Sequence, residues 1–142
     1  MKPNNFKQSS RELDRHFYNI IFSLVTDEAV KSGLITKEES NTVLIFFLRA
    51  WMNDTIRLWL TSRTAGSLKE NRLVSMIAWV HEKRLLSWSM RKKELCEFLL
   101  RQGKLRSTTN LPTMQYWMTL ALPPYVESLL DAEFFKISKM PS

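Results

Sequence analysis

Apolar residues recur at three- and four-residue spacing along most of the chain, and strand-like alternation is essentially missing. The series Leu13, Phe17, Ile20, Ile21, Leu24, Ala29 and Val30 predicts a first helix. Ser9-Ser10-Arg11-Glu12 offers a capping box at its start, and Gly33 is positioned to end it. Residues 1–8 lack this periodicity and read as a flexible tail. A second capping box, Thr36-Lys37-Glu38-Glu39, opens a helix over about 36–62. From Val43 onward that helix is apolar nearly all round, the pattern of a central, buried element. Asn53-Asp54 is the place where it invites interruption.

Ser67-Leu68-Lys69-Glu70 is a third capping box after the break at Gly66. No Gly or Pro follows until Gly103, so the pattern predicts two helices, about 67–86 and 90–102, divided near Ser87-Trp88-Ser89. One long bent helix is the alternative. Beyond the polar loop 104–110, Pro112 opens a short helix through Leu122. Pro123-Pro124 stops it, and 125–137 form the last one. The expected architecture is all-α: a compact bundle of five to six helices around the central helix 36–62, with residues 9–142 as a single helical domain.

Composition agrees with a globular domain. The 142 residues are 44% hydrophobic and 25% charged, and they include only 3 Gly and 5 Pro, too few for a turn-rich β-sandwich. The most apolar stretch, Val43 to Met52, is too short to span a bilayer and contains Arg49. The N-terminus lacks the apolar core of a secretory signal. A soluble, cytoplasmic protein without a membrane partner is expected.

Charge sharpens the picture. The formal net charge is +7. Residues 1–48 are balanced, residues 107–142 sum to −1, and residues 49–106 carry 13 basic and 5 acidic side chains, net +8. A confined excess creates a field able to hold a polyanion. On a helical wheel of 67–86, Leu73, Val74, Ile77, Val80 and Leu85 gather on one face. Lys69, Arg72, Met76, Trp79 and Lys83 gather on the opposite face. Exposed, that second face would set cations on phosphates and offer Trp79 for stacking. Packed against another helix, it would leave only its cations to reach solvent at the rim.

Arg91 and Lys92 lie at the start of a helix, where cations oppose the helix dipole unless an anion offsets them. Lys104 and Arg106 sit in a Ser/Thr-rich loop suited to phosphate contacts. The expected nucleic-acid-binding residues are therefore Lys69, Arg72, Trp79, Lys83, Arg91, Lys92, Lys104 and Arg106. A helix-turn-helix over 36–86 has the right element order, but its first helix is long and very apolar for a positioning helix.

Catalytic chemistry has little to build on. His81-Glu82 fails the H-E-x-x-H pattern because position 85 is Leu85. Two histidines and the lone Cys96 make a poor metal set, and three isolated glycines build no phosphate-binding loop. Cys96 shares the apolar side of its helix with Leu95, Leu99 and Leu100, as an inert buried thiol does. The expectation is a non-enzyme with no catalytic residue, metal or cofactor.

The C-terminal third is rich in aromatic residues. Tyr116, Trp117, Tyr125 and Phe134 are candidates for a protein interface, of which a homodimer is the simplest form. Two functional expectations follow. The first is a small basic nucleic-acid-binding protein, for DNA or RNA, acting as a regulator or as an accessory subunit of a larger complex. The alternative is a helical adaptor or chaperone-like module that uses the aromatic third, its basic face docking an acidic protein.

Overall fold

Local capping chemistry sets most helix boundaries. The computed structural model describes residues 17–62, 69–83, 91–102 and 109–139. Helix α1 covers residues 17–24, and α2 is Asp27–Lys31. The single helix expected from Ser9 to Gly33 is thus broken at Val25-Thr26. The Thr26 hydroxyl accepts from the Ala29 amide, and Asp27 and Glu28 complement the dipole of the new first turn. Gly33 ends this region with φ +74°, a left-handed conformation that glycine adopts without strain. The Ser9 capping box lies outside the described residues, as does the tail 1–8.

Helix α3, Lys37–Met52, begins at the expected capping box. Thr36 Oγ1 accepts from the Glu39 amide at 3.2 Å, and Glu39 Oε1 accepts from the Thr36 amide at 2.9 Å. The break at Asn53 is real. Asn53 caps the C-terminus of α3, and its Oδ1 accepts from the Thr55 and Ile56 amides to start α4, Asp54–Thr61.

Helix α5 is Glu70–Glu82 and α6 is Lys92–Arg101, so the middle of the chain forms two helices rather than one bent helix. Helix α5 takes Lys69 as its N-cap and Glu70 as its first residue, so the box expected from Ser67 to Glu70 does not start it. Ser67 and the divide at 87–89 lie outside the described residues. Helix α7, Leu111–Met118, starts from an Asn110 cap with Pro112 in its first turn and ends before the expected Leu122. Helix α8 is Pro124–Ser138. The protein is an all-α bundle, and among the described residues there is no strand.

The helices form two groups. In one, α3 packs on α4 and α8, α4 also meets α8, and Phe17 of α1 stacks on Trp51 at 4.4 Å. In the other, α7 packs on both α5 and α6. The groups meet where α4 touches α5 and where Phe46 lies parallel to Trp79 at 6.2 Å. Phe46 also makes edge contacts with Phe47 and Phe134. Each such aromatic pair contributes about 0.5–1.5 kcal/mol beyond its buried area.

The most enclosed element is α5, in which every residue from Leu73 to Val80 is buried. The expectation that 36–62 is the central helix is corrected here. The kink at Asn53 turns α3 and α4 into separate elements with outward faces, leaving Met52 71% exposed. One buried carboxylate joins α3 to α8: Glu133 pairs with Arg49 at 2.9 Å and with Lys136 at 3.6 Å. Among the described residues no helix is long and apolar enough to cross a membrane.

Candidate functional site

The second face of α5 does not look onto solvent. Met76 is fully buried and Trp79 is only 6% exposed. The Trp79 indole lies against Phe46, and its Nε1–H donates to Glu127 Oε2 at 2.9 Å. A ring held this way cannot stack on a base, so the stacking role expected for Trp79 is withdrawn. Arg72 is committed internally as well. Its Nη1 donates to the Trp59 carbonyl and to Ser62 Oγ, and its guanidinium lies 5.6 Å from the Trp59 ring centre. Arg72 thus ties the end of α4 to the start of α5 rather than presenting itself to phosphate. Lys69 is half-buried at the N-cap of α5. With this face covered, α5 is not a groove-reading recognition helix.

Two other nominated cations, Lys83 and Lys92, border a cleft. Its volume is about 340 Å³, and Ser75, Ala78, Trp79, Glu82 and Lys83 of α5 form one wall. Lys92 of α6, Met118 of α7, residues 119–122 of the α7–α8 connection and Glu127 of α8 complete its lining. Lys92 Nζ meets Glu82 Oε2 at 2.5 Å, tying the start of α6 to the end of α5. Lys83 Nζ is 3.6 Å from Glu127 Oε2.

Just outside the cleft, Arg91 precedes α6. Its amide donates to Glu94 Oε1 at 2.9 Å, while its guanidinium is 3.8 Å from the same carboxylate and its side chain is 85% exposed. Lys93 is exposed beside it. Glu94 and Glu82 supply the anions that offset Arg91 and Lys92 at this helix start. Lys104 and Arg106 lie outside the described residues.

The aromatic candidates divide. Tyr116 is 62% and Tyr125 53% exposed, in the two helices joined by residues 119–123. Trp117 is half-buried, and its carbonyl accepts from Ser75 Oγ at 2.8 Å. Phe134 packs edge-on to Phe46 and serves the core. Tyr116 and Tyr125 therefore remain as interface candidates.

Cys96 is fully buried, with Sγ 3.4 Å from Met118 Sδ. Burial, reinforced by the neighbouring Glu97, pushes its thiol up to about 11, which keeps it protonated and unreactive at neutral pH. No group of three His, Cys, Asp or Glu side chains placed to hold a metal occurs among the described residues.

The residue missed in the sequence is Glu127. A buried indole needs an acceptor for its N–H, but the partner lies 48 residues away in another helix. No local spacing marks it. Comparison with protein families, curated proteins and solved structures finds no match to this chain.

Proposed function

We propose that this protein is a helical interaction module that docks an acidic, partly apolar segment of a partner protein in the cleft between α5, the start of α6 and the α7–α8 connection. One observation carries the reading: the cleft joins two surfaces that are separate in sequence. Lys83 and Lys92 come from the net +8 segment, whereas Met118 to Leu122 come from the aromatic third. Cations then steer an acidic segment and the apolar wall receives its hydrophobic side chains. The reading assigns no catalytic residue.

A nucleic-acid reading retains one specific support, the exposure of Arg91 and Lys93 at the start of α6. Against it stand the buried Trp79 and the internally bonded Arg72. Fluorescence anisotropy separates the two. The probes are a labelled amphipathic peptide, with glutamates along one face and leucines along the other, and labelled DNA and RNA oligonucleotides across a salt series. Peptide binding that is lost in Lys83→Ala/Lys92→Ala and weakened in Tyr116→Ala or Tyr125→Ala supports the docking cleft. Oligonucleotide binding with a steep linear salt slope, and no peptide binding, replaces it with the nucleic-acid reading.

A further inference from the structure

We propose that Glu127 is a built-in competitor for this cleft, its carboxylate seated where a carboxylate of the partner docks; the inference rests on the docking reading above. Glu127 Oε2 alone receives both the Trp79 Nε1–H, at 2.9 Å, and Lys83 Nζ, at 3.6 Å. A neutral N–H donor and an ammonium converging on one oxygen form a carboxylate-recognition pair. An acidic segment entering the cleft meets these donors already occupied and the negative charge of Glu127 in its way.

Two neighbouring ion pairs show why this contact exchanges. Glu133 is held by Arg49 and Lys136 but is buried in the α3–α8 junction, so it is part of the core. Lys92 and Glu82 approach to 2.5 Å and tie α6 to α5. The Lys83–Glu127 contact is as exposed as the Lys92–Glu82 pair but longer, 3.6 Å against 2.5 Å. Such a pair in water is weak. Glu127 can swing outward into solvent while an incoming carboxylate takes over the Trp79 N–H and Lys83.

The test is the affinity of the glutamate–leucine peptide for wild-type protein and for Glu127→Gln. The amide keeps the shape of the side chain and an oxygen able to accept the indole N–H, so the fold is retained. Removing the competing charge tightens peptide binding by about threefold or more. The glutamine version of the peptide shows no such gain. A reporter specific to the exchange is the Trp79 indole N–H in a proton–nitrogen spectrum, assigned with Trp79→Phe. It shifts on Glu127→Gln and shifts again when peptide is added.

Peptide binding that depends on Lys83 but is unchanged or weakened by Glu127→Gln overturns the competitor role and leaves the docking cleft standing. Failure of both proteins to bind the peptide overturns both. A lower melting temperature in Glu127→Gln without a gain in affinity marks Glu127 as purely structural.

Discussion

Helix α5 and the start of α6 carry the same kinds of residues and use them in opposite ways. Both hold cations within the basic segment. In α5 the flanking Trp79 and Met76 are buried and Arg72 is bound to the end of α4, so that face closes the core. At the start of α6, Arg91 and Lys93 project into water, and Lys92 reaches back to Glu82. A run of cations does not by itself mark a binding face. What decides is whether a neighbouring helix covers the side chains between them.

The contrast breaks most visibly at Trp79. Trp79→Ala removes a buried ring stacked on Phe46 and costs about 3–5 kcal/mol in urea denaturation. A loss within about 0.5 kcal/mol is what a surface position shows, and it would place Trp79 back on solvent. Arg72→Ala is the next largest. It frees the Trp59 carbonyl and Ser62 and costs about 1–3 kcal/mol. Arg72→Lys recovers only part of this, because an ammonium lacks the planar fork that lies over Trp59.

Cys96 extends the comparison to α6, whose inner face is as dry as α5. Its thiol is raised from 9.0 to about 11 in the folded protein. The protonated form is favoured by folding, so the associated stability is complete below about pH 9 and is lost as pH rises toward about 11. Measured by urea midpoints, wild-type protein should therefore lose more stability than Cys96→Ala over that window. Equal losses would mean the thiol is hydrated.

Asn53→Ala removes the cap that separates α3 from α4 and lowers stability by about 1 kcal/mol. The smallest effect is expected at Arg91→Ala, whose guanidinium, among the described residues, holds a long, exposed contact to Glu94. Its stability stays within about 0.5 kcal/mol of wild type. A larger loss would show that the start of α6 is as embedded as α5.

Much of the helical layout was legible because the caps are local. Thr36 with Glu39, Gly33, Asn53 and Pro112 each act within a few residues of themselves, whereas Pro123-Pro124 opens α8 rather than ending α7, which stops at Met118. The break at Thr26 has a local signal that apolar counting alone hides: at about 100° per residue Ala29 and Val30 fall off the stripe of Phe17, Ile20, Ile21 and Leu24, and Thr26 stands as a cap before Asp27 and Glu28. The apolar side of α6, with Cys96 inside, followed from periodicity. The second face of α5 did not. A wheel shows that Trp79 and Met76 point away from Leu73 and Ile77, but not that Phe46 and Glu127 come from distant helices to cover them. The cleft has the same origin: its walls lie on α5, α6, α7 and α8 and meet only through tertiary packing.

The most direct test of the docking cleft follows the Trp79 indole N–H by nitrogen-edited NMR while the glutamate–leucine peptide is added, with a DNA duplex as the parallel titrant. The account predicts a saturable shift of that one resonance with peptide and none with DNA. An indole signal that stays fixed with peptide, while DNA moves the backbone amides of Arg91 to Lys93, would contradict it.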